Sequence, residues 1–175
     1  YETMGTDKQH ILQQLERPKP ERDLPKILNT EQVNRLIAAP DPEDKKFFNR
    51  DVAILELLYA SGLRATELCT LKLRDLNLQV GALKVFGKGA KERVVPMGRA
   101  AVDAIARYLT ESRPLLLGER QSEFVFLSRS GKSFDRVSLW MLVSKYARKS
   151  GILNEVSPHT LRHCFATHLI GGGAD

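Results

Sequence analysis

The sequence has 175 residues, of which 42% are hydrophobic. A chain of this length buries roughly 70% of the surface that its unfolded form exposes, so it needs neither a metal nor a disulfide to fold. Lysine and arginine number 27 against 21 aspartate and glutamate residues, which gives a net charge of +6. This excess suits a polyanionic partner, although charge alone indicates only a nonspecific tendency.

Cysteine usage and hydropathy restrict the class of protein further. Cys69 and Cys164 lie far apart, each within an apolar helical pattern and neither in a CxxC pair. We therefore expect buried, reduced thiols rather than a zinc or disulfide framework. No stretch approaches the roughly 18 apolar residues of a membrane span, and the N-terminus lacks the pattern of a signal peptide. These features predict a soluble, cytoplasmic protein.

The first 25 residues have the composition of a linker. They are mostly polar and end in a proline-spaced, charged run, Arg17–Pro25. Such a run favours an extended connector, and the apolar segment before it resembles the last turn of a preceding helix. We therefore expect residues 1–25 to be a tail from a missing upstream domain and residues 26–175 to form one domain.

Helical spacing dominates the next fifty residues. Asn29 or Thr30 can cap a helix that runs to about Ala39. A second helix is predicted from about Lys45 to Ala60, and its wide apolar face indicates a central, buried position before Gly62 terminates it. A short helical stretch follows at about residues 66–71.

The period then changes to that of β-strands. Residues 83–86 and 92–95 are predicted to form a hairpin, whose loop contains two glycines and places Lys88 at the tip. A helix is expected over residues 99–109, and a third strand over 124–127.

Two helices complete the chain. One is predicted from about Val137 to near Gly151. The other opens with Ser157 as N-cap and Pro158 at the first helical position, and continues to about Ile170. The predicted fold class is mainly α with a small antiparallel β-sheet (α+β).

The last helix carries an apolar and a polar stripe. Leu161, Phe165 and Leu169 recur at i, i+4 and i+8, so we expect them to face the core. A second face of this helix lies beside its N-terminus and forms a candidate anion site, because the helix dipole and the free backbone amides there favour anions. Alternatives are a solvated face and a zinc site, although no glutamate follows the first histidine as HExxH requires. The residues of this face are His159, Arg162 and His163.

Two further cations occupy positions suited to phosphate. Arg64 directly follows the predicted buried helix, and a guanidinium fixed there can offer two parallel donors to two oxygens. The alternative is an ordinary surface residue paired with Glu67 at i+3. Lys88 is either a functional ammonium or a turn lysine that only adds solubility. The hairpin loop around it is not a P-loop, because the pattern GxxxxGK[ST] is absent. The hairpin run around it also contains Lys84, Lys91 and Arg93.

Three motifs together resemble one protein family. GLRATEL, GKGAKERVVPMG and SPHTLRHCFATHL, in this order and spacing, are similar to the catalytic domain of tyrosine recombinases, particularly the Xer site-specific recombinases and related integrases. The likeness covers about residues 25–175, including the proline-rich linker that in this family follows an N-terminal core-binding domain. It implies the tyrosine recombinase catalytic-domain fold, double-stranded DNA as partner, and homo- or hetero-oligomers of recombinase protomers on that DNA.

The resemblance also implies roles for individual residues. Arg64 and Arg162 would bind the nonbridging phosphate oxygens and stabilise the pentacoordinate transition state. Lys88 would protonate the departing 5′-oxygen, and His159 would assist near the attacking group. No metal or cofactor is implied. Further phosphate or DNA contacts are expected from Lys91, Arg93 and His163.

The nucleophile of this family is a tyrosine that forms a 3′-phosphotyrosyl link. It follows a GAD motif, which here is residues 173–175. All four tyrosines of this chain precede His159, and none matches the nucleophile's position: Tyr1, Tyr59, Tyr108 and Tyr146. We therefore expect a catalytic domain truncated before its nucleophile, which binds DNA without cleaving it. Alternatives are a noncatalytic DNA-binding module with a recombinase-like fold and a relative of type IB topoisomerases.

Overall fold

A buried helix organises the first part of the molecule. The computed structural model describes residues 27–171. Helix α1 spans Thr30–Ile37, α2 spans Phe48–Ser61 and α3 spans Ala65–Cys69. Five apolar residues of α2 are fully buried, which confirms its predicted central position: Ala53, Ile54, Leu55, Leu57 and Leu58.

The caps of these helices follow from local hydrogen bonds. The Asn29 side chain accepts from the Gln32 N–H at 2.8 Å, and the Gln32 side chain accepts from the Asn29 N–H at 3.0 Å. This reciprocal capping box starts α1 at the predicted place. Helix α2 starts three residues later than predicted, because the Asp44 side chain accepts from the Phe47 N–H at 3.2 Å and holds a turn there.

A three-stranded antiparallel sheet follows the helices. Its strands are β1 (Leu76–Asn77), β2 (Ala82–Phe86) and β3 (Glu92–Pro96), in the order β1-β2-β3. Leu83 pairs with Val95, and Val85 pairs with Arg93. Leu83, Val85 and Val95 are buried, so this face of the hairpin packs on the core. The predicted hairpin is therefore confirmed.

The predicted strand at residues 124–127 is wrong. The segment makes only isolated bridges, from Phe124 to Lys72 and from Leu127 to Ser133. Two of its carbonyl groups accept from side chains, since Arg113 donates to the Phe124 oxygen at 2.7 Å and the Tyr108 hydroxyl donates to the Val125 oxygen at 2.7 Å. Its backbone bonds go to two different segments, at Leu71 and Phe134, so no continuous ladder forms.

The three remaining predicted helices are present, with bounds within about two residues of the prediction. Helix α4 (Arg99–Arg107) continues through a π-helical turn at Tyr108–Ser112 into α5 (Arg113–Leu117). Helix α6 spans Arg136–Lys149 and is capped by Asp135, whose carboxylate accepts from the Ser138 N–H at 2.7 Å. Helix α7 spans Pro158–Gly171.

Helix α7 packs on α2 through a narrower stripe than predicted. Leu161 and Cys164 are fully buried, whereas Phe165 is half-buried and Leu169 is 45% exposed. The expectation that Leu169 faces the core is therefore wrong. The fully buried residues of this face are Leu161 and Cys164, which lie three positions apart. Both cysteines are buried, as expected. Within residues 27–171, no helix has the length and hydropathy needed to cross a membrane.

Candidate active site

A close contact between α2 and α7 brings two distant segments together. Gly62 ends α2 with a left-handed backbone, φ +63°, and a Cβ there would lie 2.4 Å from Cδ1 of Phe165. The phenyl ring therefore occupies the space that any larger residue at position 62 would fill. Arg64 lies two residues beyond Gly62, and Arg162 lies one helical turn before Phe165. This contact places both arginines at the same junction.

The two arginines interact electrostatically. The Arg64 side chain is 57% exposed, and Arg162 is half-buried. Burial lowers the pKa of Arg162, and the positive charges of Arg64 and Arg93 lower it further, while Glu67 acts in the opposite direction. Like charges held close together are unfavourable until an anion neutralises them. The pair is therefore suited to bind a phosphate.

Glu67 is the anionic member of this cluster, and its main partner is Arg93. The Arg93 nitrogens Nη1 and Nη2 lie 2.5 Å from Oε2 and 3.0 Å from Oε1 of Glu67. The Arg64 N–H also donates to Oε1 at 2.9 Å, but the Arg64 Nη1 atom stays 3.8 Å from Oε2. The Arg64–Glu67 pair considered from the i+3 spacing is thus only a long contact.

The charge state of Glu67 follows from these contacts. Burial acts to raise the pKa of the carboxyl group, but hydrogen bonds from Arg93 and from the Arg64 N–H, together with both positive charges, outweigh burial and lower it. Glu67 is consequently an ionised carboxylate at neutral pH. The sequence placed Glu67 near Arg64 and marked Arg93 as a possible DNA contact, but it gave no signal that Glu67 pairs with Arg93, which lies 26 residues away.

The two histidines of the polar face contact each other. The Nε2 atoms of His159 and His163 lie 2.8 Å apart, and the rings meet edge to face. One ring donates this hydrogen bond and the other accepts it. Residues 27–171 contain no cluster of three or more histidine, cysteine, aspartate or glutamate side chains that could hold a metal.

Lys88 lies on the exposed tip of the hairpin. It begins a short 3₁₀ turn, Lys88–Ala90, in which Gly89 and Ala90 have φ values of +73° and +58°. Arg64, Arg93 and Arg162 interact with one another and with Glu67. Lys88 is exposed in the hairpin turn.

The three described tyrosines have structural partners. Tyr108 and Tyr146 are buried, and their hydroxyls donate to the Val125 oxygen and to Asp51. The Tyr59 hydroxyl lies 2.6 Å from Nδ1 of His168. Burial raises the pKa of all three phenols. Each of these hydroxyls is thus already hydrogen-bonded within the domain.

The His168 contact also fixes that ring's tautomer. Nε2 of His168 lies 2.9 Å from the Leu28 oxygen, which can only accept, so Nε2 carries the proton. In the neutral ring, Nδ1 then accepts from the Tyr59 hydroxyl. This relay, together with the Cys164 sulfur that accepts from the Leu28 N–H at 3.3 Å, ties α7 to the segment before α1.

Comparison with known proteins identifies relatives. Tyrosine recombinase XerD of Shewanella oneidensis is 48% identical over 93% of this chain and 54% of the relative. XerD of Listeria innocua is 45% identical over the same shares. The chain thus spans about half the length of the curated relatives it matches.

Solved structures share the fold. The crystal structure of XerA recombinase superposes with a TM-score of 0.75 and 33% identity, covering 92% of this chain and 55% of that one. XerH bound to palindromic difH substrate superposes with a TM-score of 0.74, covering 91% and 46%, and at 23% identity it supports the fold alone. A sequence model of the phage integrase family matches residues 26–175. The chain therefore belongs to the phage integrase family of tyrosine recombinases.

Proposed function

We propose that the chain is part of an enzyme that recombines DNA at specific sites by cleaving and rejoining strands through a 3′-phosphotyrosyl intermediate. The observation that carries this proposal is the meeting of Arg64 and Arg162 where Gly62 packs on Phe165. Two guanidinium groups at one junction match the nonbridging oxygens of a phosphodiester.

The chemistry divides among the residues of the family motifs. In cleavage, a tyrosine oxygen bonds to phosphorus and the bond from phosphorus to the 5′-oxygen breaks. Arg64 and Arg162 stabilise the charge on the phosphorane. Lys88 gives a proton to the 5′-oxygen, and His159 assists near the attacking group by taking up the proton that the tyrosine hydroxyl loses. Lys88 would act from the exposed hairpin turn.

Double-stranded DNA is the proposed partner. A crystal structure shows XerH bound to difH substrate, and a structure of the Tn1549 transposon integrase shows it in complex with transposon right end DNA. The excess of basic residues in this chain supports the same partner. We infer that recombinase protomers assemble on the DNA, and that cytoplasmic DNA is the target. Lys91 and His163 are proposed to add phosphate contacts.

Salt-dependent DNA binding tests the phosphate site. A fluorescent duplex is titrated at two salt concentrations with the unchanged chain, Arg64→Gln, Arg162→Gln and the double variant. We expect each substitution to weaken binding about tenfold or more, because a charge-assisted contact is lost, and to lower the salt slope by about one unit. Arg35→Gln on α1, which removes the same charge elsewhere, is the control. Equal effects from all three single substitutions would contradict the proposal.

The nucleophile needs a separate test. The chain is incubated with a nicked suicide substrate that carries its recombination site, and covalent adducts are sought on a denaturing gel. We expect no adduct, because the described tyrosines are engaged in the domain and none occupies the nucleophile's motif position. A chain extended by the family's tyrosine segment should form one. An adduct at Tyr59, Tyr108 or Tyr146 would show that the nucleophile is misplaced; an extended chain that binds DNA but never cleaves it would favour the noncatalytic module.

A further inference from the structure

The ion pair between Arg93 and Glu67 lies directly beside the two arginines of the site. We propose that Arg93 is a positioning residue, which occupies both carboxylate oxygens of Glu67 and thereby keeps the Arg64 guanidinium available for phosphate. This inference rests on the proposed function, in which Arg64 is a phosphate ligand. It assigns Arg93 a role other than the direct DNA contact that the family resemblance implied.

The geometry separates the roles of the two arginines. The planar fork of Arg93 reaches both Glu67 oxygens, at 2.5 and 3.0 Å, which is the strongest arrangement available to a guanidinium and a carboxylate. Arg64 contributes its backbone N–H to the same carboxylate, at 2.9 Å. Its guanidinium remains 3.8 Å away and mostly exposed. Arg93 therefore holds the carboxylate, while Arg64 faces solvent.

Removal of Arg93 would change which cation Glu67 binds. The Glu67 side chain is only 7% exposed, and a buried carboxylate without a partner is strongly unfavourable. The nearest remaining cation is Arg64, whose Nη1 would need to move only about 1 Å to form a charge-assisted hydrogen bond. An Arg64 captured in this way offers fewer donors to a phosphate, and its charge is largely cancelled.

The ion pair also links the hairpin to the arginine site. Arg93 lies on β3 opposite Val85 of β2, in the hairpin whose tip carries Lys88. Through Glu67, that hairpin is joined to α3 and to the backbone of Arg64. The same contact thus sets the availability of Arg64 and the position of the hairpin base.

A charge-matched set of variants tests the proposal by DNA titration. Arg93→Gln should weaken binding about tenfold or more, because Glu67 then competes for Arg64. Adding Glu67→Gln should restore most of the affinity, since the amide oxygen can still accept from the Arg64 N–H while the competing charge is gone. Adding Glu92→Gln instead is the control. It removes the same charge from the adjacent residue, whose carboxylate pairs with Lys84 at 3.1 Å, and should restore little.

Two results would overturn the proposal. If Arg93 contacts phosphate itself, Glu67→Gln should restore neither the affinity nor the salt slope that Arg93→Gln loses. If Glu92→Gln restores affinity as well as Glu67→Gln does, net charge explains the effect. Melting temperatures confirm that each variant is folded. If Arg93→Gln does not fold, Arg93→Lys takes its place in the test. The lysine keeps the positive charge but cannot contact both carboxylate oxygens, so it should give a smaller loss of DNA affinity, which Glu67→Gln again reverses.

A readout without DNA separates this inference from the proposed function. Phenylglyoxal modifies accessible arginines, and mass spectrometry reports the rate at Arg64. Arg93→Gln should slow that rate at least several-fold, because Arg64 becomes paired with a buried carboxylate, and Glu67→Gln should restore it. An unchanged rate would refute the positioning role even if the chain binds DNA. Failure of the unchanged chain to bind DNA, with the expected labelling pattern, would refute the proposed function alone.

Discussion

Gly62 is the position at which one added methyl group tests how Arg64 and Arg162 are brought together. Its φ of +63° costs a residue with a Cβ about 1 kcal/mol. The new Cβ would also lie 2.4 Å from Cδ1 and 2.8 Å from Cε1 of Phe165. Because the ring is rigid, this overlap must be relieved by moving α7 or the ring, which costs about 1–3 kcal/mol.

We therefore expect Gly62→Ala to lower the free energy of unfolding by about 2–4 kcal/mol, and the melting temperature by roughly 4–16 °C. Urea unfolding monitored by circular dichroism measures the first quantity. The same variant should bind DNA more weakly, because the displaced ring lies one turn from Arg162.

Gly151→Ala is the matched control. Gly151 also has a left-handed backbone, φ +76°, but nothing lies within 4 Å of its Cβ position, so only the conformational cost of about 1 kcal/mol applies. Adding Phe165→Leu to Gly62→Ala should recover part of the loss, because a smaller side chain relieves the overlap. Equal losses for Gly62→Ala and Gly151→Ala would refute the close contact.

Three further predictions concern buried groups. Burial acts to raise the pKa of Glu67, but the hydrogen bonds and charges of Arg93 and Arg64 lower it overall. The ionised carboxylate therefore stabilises the fold above the ordinary pKa of 4.5, and this stabilisation is lost as the pH falls through the lowered pKa. In urea unfolding, the stability lost in Glu67→Gln should shrink in acid, and a loss that does not change with pH would contradict this. Tyr146→Phe removes the hydroxyl that donates to buried Asp51. It should cost about 1.5–3 kcal/mol in the same assay, whereas a negligible loss would show that the bond contributes nothing. Burial raises the pKa of the Cys69 thiol to about 12, so Ellman's reagent should label it only on unfolding; rapid labelling of the native protein would disprove its burial.

Local signals in the sequence determined most of the helices, the hairpin and the family. The capping box at Asn29, the left-handed terminator Gly62 and Pro158 at the start of α7 each act through their own backbone or a neighbour within one turn. Such short-range preferences can be recognised without knowledge of the fold. The three motifs likewise identified Arg64, Lys88, His159 and Arg162 as candidates, and their catalytic roles remain predictions.

Tertiary contacts decided what no local pattern encodes. Residues 124–127 have the composition of a strand, but Arg113 and Tyr108 take the carbonyl bonds that a neighbouring strand would have used. Glu67 lies three residues from Arg64, yet its carboxylate pairs with Arg93, because the fold brings the Arg93 guanidinium to it with both nitrogens aligned. A carboxylate selects among the cations within its reach by geometry, and that geometry exists only once the fold has brought β3 close to Glu67.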